Sequence, residues 1–313
     1  MPLMDAPVFL LADIGATNAR FALASGGVLG KTVSLPTPDA RDVAELVESA
    51  RETLRYTVLS GACIAVAGPV QNGRGAITNG TLEFDAVMLT SLLKCRVSVV
   101  NDFHALARSL PALEHLRQIG GRQQVGLKAV IGPGSGLGMA VLMPNQATDW
   151  QVIASEGGHA DMAPGTPLEQ EVLQILLGSF EQVSWETVLS GPGLVNLYRA
   201  VCVLWGVTPL EITAEWITRK GVDAEEPICH QVLELFFSVL GGAAGNLALT
   251  VGAQGGIYIG GGIVPQLEEF AVTSALRRRF DERGALRDYA EQIPLYLILD
   301  ETPGLIGVLH SLP

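Results

Sequence analysis

The chain has 313 residues, 48% of them apolar, enough to bury one or two cores. With 32 acidic against 20 basic residues the formal net charge is -12, which opposes nonspecific attraction to nucleic acid or an anionic membrane. The four cysteines, Cys63, Cys95, Cys202 and Cys229, form no C-x-x-C or Cys/His cluster, which argues against a structural zinc site or a disulfide framework and for reduced thiols in the cytoplasm.

The opening "MPLMDAPVFLLADIGATNA" lacks a basic n-region, and its apolar run is closed by Asp13, too soon for a signal peptide or a membrane span. Three β-like runs follow, "VFLLADI", "ARFALA" and "VLGKTVSL", then a helical pattern in "DARDVAELVESARETLRYTV" and a strand in "ACIAVAG". Further strands are expected at "VSVV", "KAVIG", "GMAVLM" and "WQVIA", with helices near 167–178, 193–203 and 228–252. From Leu235 to Leu267 there is no charge, but Asn246 and Gln254 interrupt the run. Gly255 and Gly256 then split a helix-like half from "IYI", so a buried helix, a turn and a buried strand are expected rather than a span. Hairpins mixed with βα units imply α/β layers on a mixed sheet, not a purely parallel doubly wound one. "VFLLADIGATNARFALA" is echoed by "KAVIGPGSGLGMAVLM", each a strand, a Gly-rich turn and a strand. Pro111 within "SLPALEHL" is the best candidate for a domain boundary.

Several stretches bear on chemistry. "GGVLGKT" mimics a P-loop, yet Ser25 stands where the first glycine is needed and the context is two strands around a Ser-Gly-Gly turn, so it is a hairpin. "ADIGATNAR" ends a strand at Asp13 and turns at Gly15; its backbone N–H groups and Thr17 can hold phosphate oxygens, and equally it reads as an ordinary β-turn. "GPGSGLG" matches neither G-x-G-x-x-G nor a G-x-S-x-G elbow, because Pro133 and Leu137 flank Ser135, and what remains is a second glycine turn that brings backbone close to an anion. In "EGGHADMAP", Gly157 and Gly158 disfavour a helix, leaving a loop that presents Glu156 and His159 to a small ligand or to solvent. Glu186 precedes a turn and a helix expected from about Leu194, and its position leans to helix-terminus charge over a ligand role. "GGIYIGGGIVP" feeds a strand into three glycines, either a close-packed strand end or a shelf for a flat ligand. "NDFHALA" puts an Asn-Asp pair where "RVSVV" ends; an N-cap role suits Asp102, and Asn101 as well.

Taken together and in order, "DIGATNARFAL", "NDFHALA", "EGGHADMAP", "VLSGPGLVNLYRA", "AGNLALTVG" and "GGIYIGGGIVP" resemble the bacterial glucokinase family, and "IPLYLILDETPGLIG" carries the resemblance almost to the C-terminus. It implies an α/β, two-domain hexokinase/actin-like (ribonuclease H-like) fold with mixed sheets and a cleft between domains. The small α/β domain would span 1–111, completed by a C-terminal helix at about 302–313, and the large one 112–301. The implied activity is phosphorylation of D-glucose at its 6-hydroxyl by ATP with Mg²⁺, in a cytoplasmic homodimer with no nucleic-acid or membrane partner. By the same resemblance Asp102 is the base, and Asn101, Asp102, Glu156, His159 and Glu186 bind the sugar. Ala12, Asp13, Ile14, Gly15, Ala16 and Thr17 form one phosphate loop, with Asp13 holding Mg²⁺ through water; Gly134, Ser135, Gly136 and Gly138 form the other, and Gly260, Gly261 and Gly262 lie beside adenosine. Ala16 departs from the family's second glycine, which puts a Cβ where backbone approaches phosphate. The cysteine-rich zinc motif of the related repressor/open-reading-frame/kinase family is absent. The alternative is a catalytically weak sugar-sensing regulator of the same fold. Asp102, both glycine turns and the expected lack of a helix-turn-helix before the first strand argue against it.

Overall fold

The computed structural model describes residues 6–78, 80–145 and 149–312, so the first five residues of the N-terminal stretch and the last residue of the expected C-terminal helix lie outside it. Two compact units make up the chain, Met1–Glu114 with Asp300–Pro313, and His115–Leu299.

The first unit runs β1 (Val8–Ile14), β2 (Asn18–Ser25), β3 (Val28–Leu29), β4 (Val33–Pro36), α1 (Val43–Leu54), β5 (Gly61–Val66), β6 (Val70–Gln71), β7 (Arg74–Ala76), β8 (Glu83–Asp85), α2 (Ala86–Leu93), β9 (Val97–Asn101) and α3 (Asp102–Ser109), and takes in a C-terminal helix, Pro303–Leu309. Its main sheet has the order β3-β2-β1-β5-β9, antiparallel through the first three strands and parallel from β1 to β9, with β4 also pairing β2. Side chains alternate along β1, as a period of two requires. Leu10, Ala12 and Ile14 pack with Val43, Leu46, Val47 and Ala50 of α1, while Leu11 packs on the other face with Ala105, Leu305 and Val308. A strand buried on both faces reads as a continuous apolar run, and "VFLLADI" is one. The expected single strand "VLGKTVSL" is instead two, β3 and β4: the Gly30 N–H on the Leu23 carbonyl at 2.8 Å continues the β3 register, and one extra residue before Val33 shifts β4 by one position against β2. The small antiparallel sheet β6-β7-β8 was not expected; strands of two or three residues are too short to show alternation.

In the second unit the elements are β10 (Leu116–Gln118), β11 (Lys128–Pro133), β12 (Leu137–Asn145), β13 (Asp149–Ser155), α4 (Pro167–Leu177), α5 (Trp185–Val188), α6 (Gly191–Trp205), α7 (Ala214–Val222), α8 (Pro227–Val251), β14 (Ile257–Ile259), α9 (Glu268–Thr273), α10 (Leu276–Asp281), α11 (Arg287–Gln292) and β15 (Leu295–Ile298). The sheet order is β10-β15-β14-β11-β12-β13. Here β11, β12 and β13 form an antiparallel meander, and β14 and β15 add in parallel beside β11. The first unit has the same arrangement, a meander (β1, β2, β3) with two parallel strands (β5, β9) beside its first strand. The echo between the two glycine-turn hairpins is thus an echo of whole sheets.

The uncharged run Leu235–Leu267 divides as the sequence suggested. α8 is long and apolar enough to cross a membrane, but most of its apolar window is buried inside the unit, where Phe236, Phe237, Leu240 and Ala244 join the main core. A helix apolar all round belongs in such a place. One ion pair is buried with it: Arg279 of α10 donates from Nη2 to Glu169 Oε2 of α4 at 3.1 Å and from Nε to Oε1 at 3.3 Å. Ser238 Oγ of α8 and the Gly165 N–H donate to the same carboxylate, at 2.9 and 2.6 Å.

Candidate functional site

In the first unit three parallel strands end in line, with Ile14 opposite Val66 and Val66 opposite Asn101. The carboxyl ends of parallel strands are where open α/β sheets place ligands. Asn101 closes β9, and its Oδ1 accepts from the N–H groups of Phe103 (2.9 Å) and His104 (3.1 Å). Asn101 is therefore the N-cap of α3, while Asp102, open to the same role from sequence, is the first helical residue. Capping fixes the Asn101 side chain, whose Nδ2 donates to Asp102 Oδ1 at 2.9 Å and to the Gly68 carbonyl at 3.0 Å. The Phe103 N–H also donates to Asp102 Oδ1 at 2.9 Å, so one carboxylate oxygen is held by two donors and Oδ2 takes no part in these bonds. Burial, then the neighbouring Asp13 carboxylate, push the Asp102 carboxyl up to about 7 against the pull of those hydrogen bonds.

Asp13 lies opposite Arg20 in the β1–β2 register, so the two side chains share a face. Burial raises the Asp13 pKa, and the Arg20 charge works the other way. The turn beyond it is closed by the Gly15 N–H on the Asn18 carbonyl at 3.0 Å, leaving Thr17 and Asn18 exposed. Ala12 and Ile14 are fully buried and offer no side chain to a ligand; the Ala16 methyl packs against the core of the unit. Gly304, in the first turn of the C-terminal helix, leaves no room beside Asp13, because a Cβ there would overlap the carboxylate oxygens. Gly304→Ala is expected to cost about 1–3 kcal/mol, as overpacking against a fixed neighbour does. Chemical denaturation checks this, and an unchanged midpoint would mean that the helix start relaxes freely.

In the second unit, the adjacent parallel strands β11 and β14 both run into glycines. The Gly134 N–H donates to the Gly136 carbonyl and the Gly191 N–H to the Gly134 carbonyl, each at 2.8 Å, with Ser135 exposed at the tip. Gly260 continues the ladder through its N–H to the Ile131 carbonyl at 2.9 Å. Gly261 has φ +82° and lies so close to the Pro133 carbonyl that any Cβ would overlap it. Gly261 and Gly262 expose their backbone, and a Cβ on Gly134 would lie 3.8 Å from the Gly262 nitrogen, so the two glycine segments are neighbours.

Glu156 and His159 are exposed at the two ends of a 3-10 turn, Gly157–His159, where the sequence suggested a loop. The His159 N–H donates to the Glu156 carbonyl at 3.0 Å, and buried Gly158 seats the turn against the Leu137 carbonyl. The Trp185 N–H donates to the Ala160 carbonyl at 3.0 Å, which ties this turn to α5. Glu186 lies inside α5, closed by a Ser184–Thr187 capping box, with the expected turn following at residues 189–190 before α6. Its Oε2 accepts the Leu137 N–H at 2.7 Å, so the charge is spent on the second glycine turn and not on a helix terminus alone. α6 starts at Gly191, ahead of the expected Leu194, since Ser190 caps it with Oγ accepting the Gly193 N–H at 2.9 Å.

The structure thus gathers Asp13, the Gly15–Thr17 turn, Asn101 and Asp102 in one unit, and the 134–138 turn, Glu156, His159, Glu186 and Gly260–Gly262 in the other. Sequence reasoning missed Arg20, Gly68, Gly304 and the Leu137 amide. Only Gly304 left a signal, a glycine directly after Pro303 at a helix start.

Residues 10–312 match the model of the glucokinase family. A glucokinase of Paramagnetospirillum magneticum is 39% identical over 306 residues, 96% of this chain and 95% of that protein. The crystal structure of a glucokinase from an Antarctic psychrotroph superposes with a TM-score of 0.85 at 34% identity, over 97% of this chain and 98% of that one. A glucokinase from Streptomyces griseus of the repressor/open-reading-frame/kinase family, solved with glucose and AMPPNP, shares the fold, with a TM-score of 0.67 at 20% identity over 96% of this chain and 97% of that one. On the match of nearly its whole length, the chain belongs to the glucokinase family.

Proposed function

We propose that this enzyme phosphorylates the 6-hydroxyl of D-glucose with ATP, Asp102 serving as the base. The observation that carries the reading is the Asn101–Asp102 pair: a carboxylate oriented by a capped helix start and pushed up to about 7 is matched to accepting a hydroxyl proton near neutral pH. Phosphoryl transfer needs little more than positioning and charge neutralisation, so orienting the hydroxyl matters as much as basicity. Asn101, Glu156, His159 and Glu186 hold sugar hydroxyls, and a site built to pair each OH rejects analogues that lack or invert it. The 13–17 and 134–138 turns hold phosphates, and Gly260, Gly261 and Gly262 lie beside adenosine. Mg²⁺, when bound, supplies charge neutralisation on the phosphates; no group of three or more His, Cys, Asp or Glu is poised for a metal among the described residues. One carboxylate, Asp13, together with substrate phosphates suits a cation that keeps most of its waters. A cytoplasmic homodimer completes the proposal.

The test is initial-rate ADP formation with Mg-ATP and a panel of hexoses. Glucose should give the fastest turnover. If no hexose stimulates ADP formation while glucose still binds, the protein is a sensor and this reading fails.

A further inference from the structure

Two anions have claims on one amide at the second glycine turn. The Leu137 N–H belongs to the turn assigned to nucleotide phosphate, yet Glu186 Oε2 already takes it at 2.7 Å. A carboxylate on a backbone N–H is among the stronger hydrogen bonds available to a turn. The turn is shaped to that carboxylate, since a Cβ on Gly136 would come within 2.5 Å of the same oxygen. Glu186 itself is firmly based: its helix is closed by the Ser184–Thr187 capping box, and its carbonyl accepts from Ser190 Oγ at 2.8 Å. The Gly191 N–H on the Gly134 carbonyl then pins the other end of the turn. A polyphosphate arriving here meets a fixed negative charge and an amide already committed.

From this geometry we infer that Glu186 is a sugar-released latch on the second glycine turn. Without sugar its carboxylate holds the Leu137 amide and repels phosphate; a sugar hydroxyl that donates to the carboxylate draws it away and frees the amide for a nucleotide phosphate. This rests on the assignment above of Glu186 to the sugar and of the 134–138 turn to the nucleotide. No covalent bond changes; the carboxylate exchanges one donor for another. A ligand shifts such an equilibrium only through its different affinity for the two arrangements, and here the hydroxyl supplies that difference. Sugar then raises nucleotide affinity, and ATP is kept from water when no sugar is present.

Equilibrium binding of AMPPNP to the sugar-free protein, by calorimetry at constant Mg²⁺, tests this without turnover. Glu186→Gln, which keeps the shape and loses the charge, is expected to bind AMPPNP at least about 5-fold tighter than the native protein, the low end of coupling between linked sites. Glu186→Ala, which also vacates the amide, should bind tighter still. In the native protein, saturating glucose should raise AMPPNP affinity by a similar factor. If the carboxylate merely supports the turn, the sign reverses: both variants bind AMPPNP more weakly, Ala worst, with partial rescue by Gln. That result, or unchanged affinity in both variants, or no effect of glucose on the native protein, overturns the latch. Thermal midpoints confirm folding, and Gln keeps the test alive if Ala does not fold. Failure of the kinase reading shows separately, as absent hexose-dependent ADP formation.

Discussion

Asp102→Asn is expected to lower turnover by about 10²-fold or more, the usual loss when a positioned general base is removed, with glucose affinity changed little. The substitution is close to isosteric, and its side-chain oxygen can still accept from Asn101 Nδ2 and the Phe103 N–H, so the helix start should survive. Unchanged turnover would remove Asp102 from its role. The carboxyl pushed up to about 7 adds a pH signature, because the base works only when ionised. kcat/KM in the native protein should climb as pH rises through about 7, and Asp102→Asn should erase that limb. Stability runs the other way. The folded protein holds this proton after an unfolded chain, with an aspartate near 3.8, has released it, so the contribution is full below 3.8 and is lost as pH rises through about 7. Asp102→Asn should therefore raise the thermal midpoint more at about pH 8 than at about pH 5. A buried carboxylate that destabilises the fold once ionised is placed for a use other than stability.

The largest stability loss is expected at Arg279. It is 4% exposed and its partner Glu169 1% exposed, so Arg279→Met leaves a buried carboxylate without its counter-charge. Breaking such a pair from one side costs about 3–5 kcal/mol. Urea denaturation should show that loss in the single variant and recover most of it when Glu169→Gln is added, because a neutral amide can keep its oxygen on the Gly165 N–H while its NH2 donates to the Ser238 hydroxyl. Equal loss in the single and double variants would mean that the pair acts through packing alone.

Much of this was legible in the chain. Alternation and glycine turns gave β1, β2, β11 and β12, since strands buried on both faces leave long apolar runs and hairpins leave turn residues. The Asn-Asp pair at a strand end pointed to Asn101 and Asp102, but which of them capped the helix depended on side-chain geometry that spacing does not carry. The turn after Glu186 is legible in the chain, but the helix that holds Glu186 is not, because the four residues of α5 are too few for a helical period. The Glu186 bond to Leu137 joins residues 49 positions apart, as does nothing that local pattern can show. The Arg20–Asp13 pairing follows from strand register, and register is invisible until the hairpin is built.

Leu305 and Val308 of the C-terminal helix are fully buried against Leu11, Ala22, Cys63 and Ala65 of the first unit's sheet and Ala105 of α3. Synthesis delivers that sheet early and the helix that covers one of its faces only after the whole second unit has been made. The part of that face that α3 does not cover waits for its helix during that interval, and the second unit, continuous in sequence, can finish folding first. Of the two units, the one begun earlier on the ribosome is thus completed later.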